Sequence, residues 1–292
     1  MGGTELLRNV VEREALAEHA GMSGAGLERV RLADGRRLVV KRVSPRTDIT
    51  LRLVGGSVSG EYLLWRAGVL DRLPAGVGHV VVDGWVEDDV TVIVMRDLGD
   101  TVLTWHDRLD ADQTRMVLDR TARLHRAFLG KPPPDVCALE NVLDLFAPHR
   151  MAELADDGNQ LARAALHGWE LFQEQVDDDV AEPVMGLLAD PRPLAAALLR
   201  GPMTLLHGDL ATVNMAIEGD DLVLLDWALA TAGPGALDVT RFVAGCSSVV
   251  TLEREELLAA YEQAAGPAYD ATSMHAALFA GLTWLGWNKA LD

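Results

Sequence analysis

The stretch LLHGDLATVNMAIEGDDLVLLDW, residues 205–227, sets His207, Gly208, Asp209, Asn214 and Asp226 among long aliphatic runs. The runs read as buried strands, yet they end in groups that are costly to bury. Two strand-like segments, MTLL at 203–206 and LVLL at 222–225, deliver Asp209 and Asp226 with a loop between them, and Asn214 follows Asp209 by five residues. Such a set supplies one carboxylate as a base and an Asn/Asp pair as oxygen ligands for magnesium, with phosphates completing the shell. The competing reading is a β-hairpin whose polar residues cap its turns. It serves for either aspartate alone, but the full HGDxxxxN spacing with a following strand-borne Asp favours a site.

The whole chain narrows the choice. Its 292 residues, 49% hydrophobic, suffice for a sizeable core. No apolar run approaches the roughly 18 residues that span a bilayer, and the first twenty residues carry charges where a signal peptide needs an apolar stretch. Leu6 stands where a myristoylation motif requires Ser or Thr. Only Cys137 and Cys246 occur, far apart, so neither a disulfide framework nor a structural zinc site is expected, and a reducing cytoplasm is the expected location. The net charge of −18 argues against nucleic acid as a partner. Its distribution is uneven: residues 1–95 carry net −1, with 12 Lys/Arg and 13 Asp/Glu, whereas residues 96–292 carry net −17, with 14 and 31. A solvated acidic surface accounts for this asymmetry, and so does a cleft that attracts a cation.

Near residue 96 the pattern changes. Before it lie short β-rich runs at 26–32, 37–43, 79–86 and 90–95, the first two joined by an Asp34-Gly35 hairpin turn, with a helical stretch at 59–73. After it the spacing predicts helices at about 111–129, 138–155, 159–177, 193–200, 236–250, 253–264 and 271–291, interrupted by KPPP at 131–134 and DPRP at 190–193. The expected fold class is therefore α+β, a small mixed lobe followed by a larger, mainly helical one.

At residues 207–226 the chain resembles the aminoglycoside phosphotransferase and choline kinase family, the small-molecule branch of the protein-kinase-like fold. The pattern HGDxxxxN, followed by a strand ending in Asp, is met by His207, Gly208, Asp209, Asn214 and Asp226. The resemblance implies a bilobal fold with an antiparallel sheet in the small lobe, ATP and Mg2+ as cofactors, Asp209 as catalytic base, and Asn214 with Asp226 as metal ligands. It extends to GPGALD at 233–238, where Asp238 is expected to brace the catalytic loop beside His207, and to TARLH at 121–125. The implied division is 1–95 as nucleotide-binding lobe, 96–100 as hinge, and 101–292 as catalytic and substrate-binding lobe.

Within the first lobe, GMSGAGLERVRL at 21–32 offers Gly21, Ser23, Gly24 and Gly26 for close approach of backbone amides to phosphates. By itself this reads equally as an ordinary loop. Lys41, in RLVVKRV, stands on a strand where the family places its phosphate-binding Lys, although a strand Lys is commonly a surface residue. Glu61 opens the following helix, either orienting that Lys or favouring the helix dipole. TVIVMRDLGD at 91–100 reads as the interlobe hinge, with adenine expected against the backbone of Arg96 to Leu98 and Met95 lining the pocket.

The segment ATVN at 211–214 departs from the family's usual HPGN, which leaves the acceptor-facing loop open. Gly208 replaces the Arg of protein kinases, and eleven residues separate Asp226 from Asp238. This leaves no room for a long phosphorylated activation loop, so a constitutive small-molecule kinase is expected. The predicted reaction is transfer of the γ-phosphate of ATP to a hydroxyl of an aminoglycoside or amino sugar, with choline-like alcohols and neutral sugars as alternatives. Acceptor candidates are Asp144, Glu170, Glu174, the DDD run at 177–179, and Trp284 with Trp287, each of which also reads as surface or core. A metallohydrolase using His207, Asp209 and Asp226, and a non-catalytic kinase-like module, are the readings of other classes.

Overall fold

The computed structural model describes residues 6–16 and 24–291. Five antiparallel strands form the first sheet, in the order β1-β2-β3-β6-β5: β1 Val10–Ala15, β2 Gly26–Leu32, β3 Arg37–Val43, β5 Val81–Glu87 and β6 Val90–Arg96. The β2–β3 hairpin turns where expected, with Gly35 at φ 89° and the Leu32 amide donating to the Arg36 carbonyl. One face of the sheet buries Val30, Leu32, Leu38, Val40, Val92 and Val94 in a core of its own. Lys41 belongs to the opposite face, beside Ile93 across the ladder, where Ile93 and Met95 join the main core. Alternation along β3 thus directs Lys41 inward, toward the rest of the molecule.

β1 was not foreseen. Its sequence, VVEREA, lacks alternating apolar residues, and what holds it on the sheet is a ladder of ion pairs to β2: Arg31–Glu12 at 2.7 Å, Arg13–Glu28 at 2.8 Å and Arg29–Glu14 at 3.2 Å. Charged side chains on an edge strand also discourage pairing with another chain.

Between β3 and β5 the chain forms two short helices, α1 Ile49–Leu53 and α2 Gly60–Arg66. The single helix expected over 59–73 ends early because Gly68, at φ 66°, turns the chain. β4, Val77–His79, then pairs in parallel with β9, Asp221–Leu224, in the second, mostly helical part, and β9 pairs with β8, Met215–Glu218. The segments 203–206 and 222–225 are therefore not partners in one hairpin: β7, Met203–Leu206, pairs instead with β10, Thr231–Pro234.

The helical part contains α3 Ala111–Ala127, α4 Leu139–Leu143, α5 Pro148–Asp156, α6 Gln160–Gln175, α7 Asp178–Ala189, α8 Arg192–Leu198, α9 Ala236–Cys246, α10 Arg254–Ala265 and α11 Ala271–Lys289. The helix expected over 138–155 divides because Pro148, which lacks an N–H, is tolerated only in the first turn of a new helix. α7 is an addition to the expected set. The DDD run starts it, with Asp177 at the N-cap and Asp178 and Asp179 in the first turn, where negative charge complements the helix dipole. Among the described residues no helix is long and apolar enough to cross a membrane.

Candidate active site

His207, Gly208 and Asp209 follow β7 into a tight loop. Gly208 adopts φ 85°, and a Cβ there would lie 2.0 Å from the carbonyl oxygen of Leu229. Only glycine allows this turn. Asp238, in the first turn of α9 and 1% exposed, receives the loop: its Oδ2 accepts from the His207 amide at 2.8 Å, and its Oδ1 from the Gly208 amide at 2.9 Å. Buried His125 of α3 stands 3.2 Å from the same Oδ2, and its Nδ1 lies 2.8 Å from the Tyr261 hydroxyl. Burial pushes the Asp238 carboxyl up, but the hydrogen bond from His125 and the donating loop amides bring it below the ordinary carboxylate range. Asp238 and TARLH are thus joined at the back of the loop.

The His207 imidazole links the backbone of the Asp209 loop to the strand end before Asp226. Its Nε2 donates to the Leu225 carbonyl at 2.8 Å, immediately before Asp226, which leaves Nδ1 to accept the Asp209 amide at 3.3 Å. This pattern fixes the neutral Nε2–H tautomer. Both ring nitrogens are engaged, so His207 has no lone pair left for a metal.

Asp226 sits at φ 59° and ψ 68°, a left-handed conformation uncommon outside glycine, and its carboxylate accepts from the Ala228 amide. Its Oδ1 lies 2.8 Å from Nζ of Lys41, and Glu61 Oε2 lies 3.3 Å from the same ammonium. Lys41 and Glu61 are buried, whereas the Asp226 side chain is 42% exposed. Burial pushes the Lys41 amine down, but the two carboxylates outweigh it and keep the group charged. Burial likewise pushes Asp226 up, and Lys41 reverses the shift, leaving the carboxyl below its ordinary range. Three residues distant in sequence thus form one charged cluster across the two parts of the molecule.

Asp209 is held on both oxygens. Asn214 Nδ2 donates to Asp209 Oδ2 at 3.0 Å and to the Asp209 carbonyl at 2.9 Å. Its amide nitrogen is thereby occupied, and its Oδ1 remains as an acceptor with lone pairs. Arg241 of α9 donates to Asp209 Oδ1 from Nε at 3.0 Å and approaches it with Nη2 at 2.8 Å. Sequence reading missed Arg241. The usable signal was its position three residues after Asp238, one helical turn away, in an otherwise apolar run.

The remaining expected residues are more scattered. Gly24 has φ 90°, and a Cβ would meet the Thr47 carbonyl, so local packing already accounts for this glycine; at Gly26 a Cβ would meet only the Arg42 Cβ, at 4.0 Å. Gly21 and Ser23 lie outside the described residues. Met95 is buried at the end of β6, but two of the backbone groups expected for adenine are engaged: the Arg96 amide donates to the Val80 carbonyl at 2.8 Å, and the Leu98 carbonyl accepts from Thr101. Asp144 is a strut, 3.2 Å from Arg150, whose Nη1 holds the Leu53 carbonyl at the end of α1. Glu170 and Glu174 project into solvent from α6. Trp284 lies under Arg241, with the guanidinium carbon 5.1 Å from the indole centroid. Trp287 belongs to another core cluster, packed on Phe146, and does not reach the site with Trp284.

Among solved structures, the choline kinase LicA from Streptococcus pneumoniae aligns with a TM-score of 0.56 at 16% identity, covering 98% of this chain and 88% of that one. An aminoglycoside phosphotransferase from Alicyclobacillus acidocaldarius aligns at 0.55 and 16% identity, covering 99% and 85%. The aminoglycoside phosphotransferase APH(3'')-Id from Streptomyces rimosus, in complex with ADP and streptomycin, aligns at 0.55 and 17% identity, covering 96% and 97%. At such identities the likeness is one of fold, and it is the bilobal, protein-kinase-like fold. No curated protein matches the chain in sequence. The model of the phosphotransferase enzyme family matches residues 23–275. With most of its length under that match, the chain belongs to the phosphotransferase enzyme family, whose members in the structures above are kinases of small molecules.

Proposed function

We propose that the chain is an ATP- and Mg2+-dependent kinase that phosphorylates a hydroxyl of a small, amine-bearing acceptor such as an aminoglycoside or amino sugar. The observation that carries this reading is the convergence of Lys41, Glu61 and Asp226 on one side of His207 with Asp209 and Asn214 on the other. In this reading residues 1–95 form the nucleotide lobe, 96–100 the hinge and 101–292 the catalytic lobe, working in the cytoplasm. Lys41 holds phosphate oxygens as a point charge, oriented by Glu61. Asp226 and the free Oδ1 of Asn214 would hold the metal, a donor set of hard oxygens suited to magnesium; when bound, the ion neutralises phosphate charge. Asp209 accepts the proton of the acceptor hydroxyl, its carboxylate aimed by Asn214 and Arg241. The backbone of Gly24 to Gly26 and those groups of 96–98 that Val80 and Thr101 leave unengaged, beside Met95, would complete the nucleotide site.

The engaged nitrogens of His207 favour this reading over a metallohydrolase that would need them as ligands. The amine on the acceptor is supported by the net −17 of residues 96–292. A coupled assay of ADP formation with magnesium, across aminoglycosides, amino sugars, choline and neutral sugars, tests it. Acceptor-dependent turnover is expected, with an apparent affinity that weakens as salt rises. Magnesium-independent hydrolysis, or no nucleotide turnover with any acceptor, counts against it.

A further inference from the structure

The short helix α1, between β3 and α2, owes its place to what it packs on, since five residues of helix have no stability alone. Its apolar side chains divide between two parts of the molecule. Ile49 joins the core cluster of Met151 and Trp169 in the helical part, and Leu53 and Val54 pack on the cluster that contains Val142 and Leu229. Leu51 instead forms a small cluster with Ala25 and Val43. Ala25 stands between Gly24 and Gly26, and Val43 ends the strand that carries Lys41. Gly24 also rests on the chain that enters the helix, because a Cβ there would meet the Thr47 carbonyl.

The C-terminus of α1 is completed from elsewhere in the chain. The carbonyls of Thr50, Leu51 and Arg52 accept from the amides of Val54, Gly56 and Gly55. The next two carbonyls are taken by side chains of α4 and α5. Arg150 Nη1 donates to the Leu53 carbonyl at 2.8 Å, and Asn141 Nδ2 donates to the Val54 carbonyl at 3.2 Å. The same guanidinium donates from Nη2 to Asn141 Oδ1 at 3.4 Å, and its Nε lies 3.2 Å from Oδ2 of Asp144. Every edge of the planar fork is used, and its positive charge sits at the negative end of the helix.

We propose that Arg150 and Asn141 are positioning residues. From α4 and α5 they fix α1 on the helical part, and α1, through Leu51, sets the position of the Gly24–Gly26 backbone. What this does for nucleotide rests on the kinase reading given above: helices of the second lobe then govern the affinity for ATP by way of a helix that precedes the hinge in sequence.

Hydrogen exchange in the nucleotide-free, full-length protein tests the linkage. Arg150→Lys keeps a charge for Asp144 but loses the fork, and Asn141→Ala removes the other cap. Both are expected to speed exchange at 49–56 and also at 25–28 by about 5-fold, the factor that corresponds to one lost hydrogen bond of about 1 kcal/mol. Leu51→Ala cuts the link at its other end and is expected to speed exchange chiefly at 25–28. Faster exchange confined to 49–56 in the cap variants, or an unchanged 25–28 in Leu51→Ala, overturns the proposal. Kinetics add a readout that a merely structural cap would not move. The KM for ATP is expected to rise several-fold in both cap variants while kcat and the acceptor KM stay near wild type. A fall in kcat with an unchanged KM for ATP also overturns the positioning role. Wild-type protein that binds no nucleotide, with exchange at the two segments still coupled, rejects the kinase reading and leaves the linkage standing, so the two fail separately.

Discussion

Replacing Asp238 by Asn should destabilise the protein by about 2–4 kcal/mol, and the figure follows from the three donors around that carboxylate. The Gly208 amide serves one oxygen, and the His207 amide and His125 serve the other. An asparagine has one oxygen and one NH2 group. Whichever way it is turned, at least one backbone amide of the loop meets an N–H where it met an oxygen. That orphaned donor costs about 1–3 kcal/mol, and the retained hydrogen bonds lose their charge assistance, roughly 1 kcal/mol more. For chains above about 150 residues, 1 kcal/mol moves the melting temperature by about 2–4 °C, so a fall near 10 °C is expected at neutral pH. The sign with pH is fixed by the direction of the shift. The folded carboxyl lies below its ordinary range, so its stabilisation is present above about pH 4, the unfolded value, and is lost as pH falls through the folded one. Calorimetric melts of wild type and Asp238→Asn should therefore differ most at neutral pH and converge in acid. A gap under about 3 °C at neutral pH, or one that widens in acid, refutes the bracing role.

Asp209→Asn should retain nucleotide-induced thermal stabilisation while phosphoryl transfer falls on the order of 10² or more; loss of both together would move Asp209 into the nucleotide or metal site. Lys41→Ala removes the ammonium between Glu61 and Asp226 and should raise the KM for ATP while lowering kcat, an assignment that unchanged ATP kinetics would contradict. Raising magnesium should partly rescue Asn214→Ala but not Asp226→Ala, because only the latter removes a charged ligand; full activity in Asp226→Ala would exclude the kinase reading. Gly208→Ala should give insoluble or strongly destabilised protein, since its Cβ would collide with the Leu229 carbonyl, and a wild-type melting curve would show that the loop can be rebuilt.

The parts legible in sequence were those written in local pattern. Alternation and a turn dipeptide identified β2, β3 and β6, and the HGDxxxxN spacing picked out the loop that the fold brings to Asp226 through His207. Long-range agreements were not legible. β1 pairs through charges and has no apolar period, β10 is four residues of TAGP, and β4 joins β9 across more than 140 residues of chain. Helix α7 was masked by Pro183 and an acidic start that reads as surface. Arg241 escaped because an arginine in a helix is ordinarily solvated, and only the fold brings it against Asp209. Trp284 and Trp287, three residues apart, read as one face, yet the packing of α6 on α11 sends them to different clusters.

The imidazole of His207 has a further consequence for how this scaffold can change. By touching the Asp209 amide and the carbonyl before Asp226, it works as a fixed spacer between two segments of chain. The backbone at Asp209 and the backbone just before Asp226 are thereby held at a spacing set by one rigid ring. Helices α4 and α11 lie outside that linkage. Side chains there can therefore change, by evolution or by an engineer, while the spacing between the Asp209 loop and the chain before Asp226 stays the same.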